Sequence, residues 1–250
     1  MSDVVANTRP AVSVIVPTLN EEQSIRDTLV ALARMKGEVE VIVADGGSDD
    51  RTTEIARQLG ARVVTGERGR GTQMNNGARV ARGDTLLFLH ADTTAPLDAV
   101  VHINETLKRD AAVLGGNFSI RFDGDSRPAR FMTWLYPKLA TLGLSYGDSG
   151  IFVRRDVYEE INGFKPFPLF EDVDFIRRLK ERGRMVQLPL TVVTSSRRFH
   201  GRNFAFTFAR WSILQMLYWL GVSPQTLSRL YAPRRAAVES RQLKDESAMS

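Results

Sequence analysis

Val12-Ser13-Val14-Ile15-Val16-Pro17-Thr18-Leu19-Asn20-Glu21 is a β-branched, apolar run closed by a proline and followed by polar residues. Such a run reads as a strand buried on both faces, as parallel sheets require. Working outward from it, the chain alternates strand and helix patterns. Glu21–Met35 carries Ile25, Leu29, Leu32 and Ala33 on one helical stripe. Val39–Ala44 is a second strand that runs into Asp45-Gly46-Gly47-Ser48-Asp49-Asp50. Arg51–Leu59 reads as a helix stopped by Gly60, Ala61–Thr65 as a strand, and Thr72–Ala81 as a helix stopped by Gly83. Thr85–Leu89 is a fourth strand, ending in His90-Ala91-Asp92. Alternation at this spacing predicts an α/β domain with a mostly parallel central sheet, right-handed crossovers and flanking helices.

The second half is less regular. Pro96–Lys108 reads as helix and Ala112–Phe122 as a strand with a glycine pair. Asp123–Ser149 is a long segment with an aromatic cluster at Phe131, Trp134 and Tyr136, and no regular element is assigned to it. A short strand at Ile151–Val153, a short helix at Asp156–Ile161 and a helix at Phe170–Arg182 follow. Met185–Thr194 is strand-like but interrupted by Pro189, and Phe204–Leu220 and Pro224–Tyr231 read as helices. The expected organisation is a tail over 1–10, one domain over 11–200, C-terminal helices over 201–232 and a disordered tail over 233–250.

The 250 residues include no cysteine, which removes disulfides, thiolate metal sites and a thiol nucleophile together. That usage suits a reducing, cytoplasmic setting. Lys and Arg exceed Asp and Glu by 34 − 29 = 5, and the pI is 9.7. The basic residues gather at Arg51–Arg82 and Arg197–Arg202 among polar strand ends, which serves phosphorylated small molecules or anionic lipid as readily as nucleic acid. Nucleic acid is not an expected partner. The start of the chain does not read as a signal peptide. Trp211–Val222 is apolar but shorter than the roughly 20 residues a membrane span needs, so 204–222 is expected at most to lie on a membrane surface, at its inner face.

In open α/β sheets, ligands bind beyond the carboxyl ends of the strands near a switch in strand order. Three carboxylate-bearing tips meet that description: Pro17–Glu21, Asp45–Asp50 and His90–Asp92. Any one of them also suits a helix N-cap. Further along stand Arg68-Gly69-Arg70-Gly71, Gly71-Thr72-Gln73-Met74-Asn75-Asn76-Gly77, Gly147-Asp148-Ser149-Gly150 and Phe170-Glu171-Asp172-Val173-Asp174. The arginine–glycine turn is neither a Walker loop nor a dinucleotide fingerprint, since no Gly-Lys-Ser/Thr follows and it does not follow the first strand. It reads equally as a phosphate-wrapping loop or an exposed basic turn. Gly147–Gly150 lacks the histidine and all-β context of a serine-protease triad.

In this order, from about Val12 to Arg198, the motifs resemble family 2 glycosyltransferases of the GT-A fold. More loosely, they are similar to a small bacterial branch grouped with arsenosugar biosynthesis. The resemblance implies transfer of a sugar from a nucleotide-diphosphate donor, with UDP as the first-choice carrier and GDP as the alternative, to a hydroxyl of a small-molecule or lipid acceptor, with inversion. It places the donor against Pro17, Thr18, Asn20, Glu21, Asp45, Gly46, Arg70, Asn75, Ala91, Asp148, Gly150 and Glu171. Asp45 also reads as an N-cap, and Gly147–Gly150 as a plain turn. His90-Ala91-Asp92 is similar to the family's Asp-X-Asp metal motif with its first acid replaced. Asp92, with His90 and His200, would then hold Mn²⁺ or Mg²⁺, and imidazole tolerates Mn²⁺ better. A helix cap at Asp92, a packed His90 and a surface turn at His200 are the plain alternatives.

By the same resemblance Asp172 is the base that takes the acceptor proton, a role a carboxylate fills when burial and neighbouring acids raise its pKa. Acids also suit a first helical turn without any catalytic role. Thr207-Phe208-Ala209-Arg210-Trp211 lacks the Gln of the Gln-X-X-Arg-Trp motif of processive members, so polymer synthesis is not expected. Two other classes share parts of the pattern. One is another nucleotide enzyme, such as a nucleotidyltransferase or NAD-dependent reductase. The other is a non-enzymatic membrane-surface or nucleic-acid protein.

Overall fold

The computed structural model describes residues 10–141, 147–199 and 203–231. Its strands are β1 (Val12–Thr18), β2 (Val39–Asp45), β3 (Arg62–Thr65), β4 (Thr85–Phe88), β5 (Thr93–Thr94), β6 (Val113–Phe122), β7 (Ile151–Arg154) and β8 (Arg184–Thr194). Its helices are α1 (Ile25–Ala33), α2 (Thr52–Gln58), α3 (Arg70–Val80), α4 (Ala99–Arg109), α5 (Arg127–Thr141), α6 (Arg155–Glu160), α7 (Glu171–Arg182), α8 (Phe204–Trp219) and α9 (Pro224–Tyr231). The residues divide into two units: one reaches Arg202 without Phe167–Phe170, and the other joins Phe167–Phe170 to Asn203 onward.

The first unit is built on a sheet of order β3-β2-β1-β4-β7-β6-β8-β5. β1 pairs in parallel with β2 and β4, β2 with β3 and β6 with β8, whereas β7 runs antiparallel to β4 and β6 and β5 antiparallel to β8. Every residue of β1 is buried, as its unbroken apolar pattern requires. The chain moves from β1 through β2 to β3, then returns to the other side of β1 as β4. That reversal places the switch point between the ends of β1 and β4, where open α/β sheets bind their ligands.

Helix α3 sits unusually close to the sheet. A side-chain carbon at Gly77 would stand 2.5 Å from Ile15 Cγ2 and 3.4 Å from Ala44 Cβ. The core beside it is aromatic: Phe88 packs edge-on to Phe164 at 4.8 Å, and Phe164 stacks on Phe175 at 4.2 Å.

Two elements differ from the sequence pattern. Arg127–Thr141, within the segment left irregular, is helix α5 with Pro137 inside it. The buried pair Ala129 and Met132 marks its inner face, and the exposed Phe131 and Trp134 obscured that stripe. Strand β8 runs on through Pro189, because its register against β6 jumps from Leu188 to Thr191 and the proline falls in the bulge.

Candidate active site

The strand tips are knitted together before any ligand arrives. Asp45, only 1% exposed, accepts from Thr18 Oγ1 at 3.0 Å, Gly47 N at 2.9 Å, and Ser48 N and Oγ at 2.8 and 2.5 Å. Asn20, held at φ 55°, donates its N–H to Ser48 Oγ and accepts from Asp49 N, both at 2.9 Å. Glu21 N donates to Thr52 Oγ1 at 2.8 Å. Gly46 N donates to Thr18 O at 2.9 Å, and Pro17 lies in register with Ala44. Gln73, which the sequence reading quoted but did not single out, reaches from α3 to donate to Thr18 O at 2.5 Å and Ala44 O at 3.2 Å. The Asp45 carboxylate therefore organises its own loop. Both of its oxygens accept from within the loop, so a nucleotide meets this carboxylate with its position already fixed.

Asn75 is likewise held by hydrogen bonds within the fold. Its Nδ2 donates to Phe164 O at 2.8 Å, and its Oδ1 accepts from Phe164 N at 2.9 Å and Tyr158 Oη at 2.5 Å. The side chain clamps α3 to the Phe164 turn.

The tip after β4 serves two neighbourhoods. Ala91 is buried, and its carbonyl accepts from Thr28 Oγ1 at 2.7 Å. Asp92 Oδ2 lies 3.4 Å from Arg197 Nη2, which also pairs with Glu21. Arg197 follows β8 in a 3-10 turn, so a cation from late in the chain stands between two acids of the early tips. His90 faces the other way, with Nδ1 3.1 Å from Asp148 Oδ1, while Tyr136 Oη donates to Asp148 Oδ2 at 3.4 Å. Gly150, at φ 65°, closes the Asp148 turn through its N–H to Gly147 O at 3.0 Å.

At the start of α7, Asp172 Oδ2 accepts from Gly147 N at 2.6 Å, and Oδ1 accepts from Val173 N at 2.8 Å. Gly147 comes close to that carboxylate: a side-chain carbon there would lie 3.0 Å from Asp172 Oδ2, and the carboxylate would have to shift by a few tenths of an ångström. Glu171 is 3% exposed, and Arg70 Nε stands 3.1 Å from its Oε1 off the hydrogen-bond direction. Oε1 is left without a hydrogen-bond partner among the described residues. Burial pushes the Glu171 carboxyl up; Arg70 opposes this, Asp172 adds to it and His90 opposes it more weakly. The structure thus joins His90, Asp148, Glu171, Asp172 and Arg70 in one charged cluster, with Asp92 and Glu21 in a second around Arg197. His200 lies outside the described residues.

The metal expectation meets a mixed donor set. No group of three His, Asp or Glu side chains able to hold a metal occurs among the described residues. Mg²⁺ and Mn²⁺ sites in nucleotide enzymes need only one or two protein carboxylates, with phosphate oxygens and water completing the shell. Asp92, already facing a cation in Arg197, fits that minimal requirement.

A switch point between β1 and β4, a mixed eight-stranded sheet and acids at the strand ends define the GT-A class of α/β fold. Two solved structures share it. The Pyrobaculum calidifontis mannosyltransferase PcManGT, in complex with GDP-Man and Mn²⁺, aligns at a TM-score of 0.64 and 23% identity, over 84% of this chain and 63% of that one. Glucosyl-3-phosphoglycerate synthase from Mycobacterium tuberculosis, with Mn²⁺, UDP and glucosyl-3-phosphoglycerate, aligns at 0.61 and 22%, over 85% and 81%. Residues 13–169, more than half of the chain, match the family described as glycosyl transferase family 2, and the chain belongs to that family. The probable glycosyltransferase YdaM of Bacillus subtilis is 26% identical over 215 residues, 74% of this chain and 50% of that protein. The chain spans half or less of the length of such curated relatives.

Proposed function

We propose that the chain transfers a sugar from a nucleotide-diphosphate donor to an acceptor hydroxyl by single displacement with inversion. The observation that carries this is the Glu171–Asp172 pair: a buried carboxylate, ion-paired to Arg70 and raised in pKa by burial, beside a second acid, at the carboxyl edge of the sheet. Its Oε1 meets Arg70 off the hydrogen-bond direction and can take a well-aligned donor, which sugar hydroxyls supply. Relatives with GDP-Man or UDP bound support the donor class.

In this reading the knitted shelf of Thr18, Asn20, Glu21 and Gly46 seats the nucleotide through backbone and side-chain groups that Asp45 holds in place. Arg70, at the N-terminus of α3, offers a guanidinium to the diphosphate while pairing with Glu171. Glu171 accepts a donor-sugar hydroxyl. Asp172, fixed by Gly147 N–H, takes the proton from the acceptor oxygen as that oxygen attacks the anomeric carbon. Asp92 would hold Mn²⁺ or Mg²⁺, which when bound offsets the charge of the departing diphosphate, and His90, on the Asp148 side of the same tip, offers its Nε2 as a second ligand only if the tip rearranges. UDP as carrier, a small-molecule or lipid acceptor, non-processive action and a cytoplasmic location belong to the same proposal.

The test is a thermal-shift panel of nucleotide-sugars with Mn²⁺ and again with chelator. A UDP-sugar is expected to raise Tm, and chelator to reduce the rise. No shift with any nucleotide overturns the reading.

A further inference from the structure

Arg197 is built into the tip that carries Asp92. Strand β5 pairs antiparallel with the end of β8, Thr93 opposite Thr194, and their hydroxyls, both fully buried, share a 2.9 Å hydrogen bond. One step out from that pair, Ser195 N donates to Asp92 O at 3.1 Å. The turn that follows is anchored on both sides of Arg197. Ser196 N donates to Asp123 Oδ1 at 2.5 Å, and the buried Phe199 sets its ring 5.3 Å from that of Phe122. The backbone is thus fixed beside Asp92, and the guanidinium stands 3.4 Å from Asp92 Oδ2 while also pairing with Glu21. Glu21 is held in its turn, since Ser24 Oγ donates to its Oε2 at 2.7 Å.

Charge decides what this placement does. Glu21, Asp92 and Arg197 together carry a formal charge of −1. A divalent ion at Asp92 turns that to +1, with a guanidinium against the ion's own ligand oxygen. Without the arginine, the same two acids and the ion would be neutral. The Asp92 side chain is 13% exposed, so water and salt screen the repulsion only in part. A diphosphate reverses the balance: its oxygens complete the shell of the ion, and its negative charge offsets both cations at once.

We propose that Arg197 is a built-in competitor for the divalent ion at Asp92, so that the ion loads well only together with the diphosphate. The guanidinium yields Asp92 Oδ2 and keeps Glu21. The coupling is reciprocal, so the ion strengthens diphosphate binding by the same factor. This rests on the placement of the metal at Asp92 proposed above.

Binding of Mn²⁺ to the full-length chain is to be followed by the electron paramagnetic resonance of the free ion, with and without UDP. Arg197→Gln is expected to bind Mn²⁺ alone about tenfold more tightly than the wild type. With saturating UDP that difference should narrow to about twofold. Arg197→Lys keeps the charge and should gain no more than about threefold. Melting without metal shows that each variant is folded. An Arg197→Gln affinity that is unchanged or weaker overturns the proposal, as does an equal gain in Arg197→Lys or a difference that UDP leaves intact. Asp92→Asn separates the two readings. If it abolishes Mn²⁺ binding while Arg197→Gln changes nothing, the metal placement stands and the competitor alone is removed. If Asp92→Asn leaves Mn²⁺ binding intact, the placement falls and the competitor falls with it.

Discussion

His90 Nδ1 lies 3.1 Å from Asp148 Oδ1, with the Tyr136 hydroxyl on the other oxygen of the same carboxylate. A carboxylate on Nδ1 keeps the proton there and leaves the Nε2 lone pair available, as in histidines that ligate metals. Sequence alone paired neither residue with the other.

Asp148→Asn, which preserves shape but removes the charge, is therefore expected to lower kcat/KM for transfer by about 10–100-fold. Nitrogen NMR of the histidine rings is the decisive companion measurement. The wild-type His90 should show the Nδ1–H tautomer, and the variant should lose that preference. A purely structural role for Asp148 would leave the tautomer where it was.

Asp172→Asn separates binding from proton transfer. The amide oxygen can still accept from Gly147 N–H, while the Val173 N–H gives up its side-chain acceptor. Transfer is expected to fall by about 10²–10⁴-fold, the usual share of a positioned base, while the nucleotide-sugar thermal shift persists. A variant with near-normal turnover would remove Asp172 from the chemistry.

Glu171 gives the site a pH signature. Its carboxyl is raised above 4.5 by burial, so between that value and its folded pKa the native state holds a proton that the unfolded chain has released. Stability then falls as pH rises through this window, and the full contribution is present only below it. Glu171→Gln should melt above wild type at neutral pH, and the gap should close on acidification. Melting curves across pH 4 to 8 check this; a gap that widens toward acid contradicts the burial argument.

Gly77→Ala sets two effects against each other. Alanine improves helix propensity by about 1 kcal/mol, but overpacking a fixed core costs about 1–3 kcal/mol. The new methyl would stand 2.5 Å from Ile15, a fully buried residue in the middle strand, so overpacking wins. Urea unfolding should show a lower midpoint at unchanged slope.

Much of this architecture was legible in the chain. β1, β2 and β4 are parallel and buried, and buried parallel strands read as plain apolar runs with their functional residues just beyond. The acids of those tips were visible for the same reason. What each acid touches was not. Asp45 and Asn75 stand out by their place at the tips, and only the fold shows that their polar atoms also bond Ser48 and Phe164. Arg197 meets Glu21 across 176 residues, a pairing no local spacing encodes. Helix α5 was hidden by Pro137 and by aromatic residues that face outward.

The Gln73 amide, bridging the carbonyls of Thr18 and Ala44, has a calorimetric consequence. It locks two adjacent strand tips at folding, so their ordering entropy is settled long before a nucleotide arrives. Association then orders little new backbone. The heat-capacity change on nucleotide binding should match the surface of the nucleotide and its immediate seat, without the larger excess that a loop folding around its ligand would add. The two tips behave as a cast mould, set by one side chain that ties them together before anything binds.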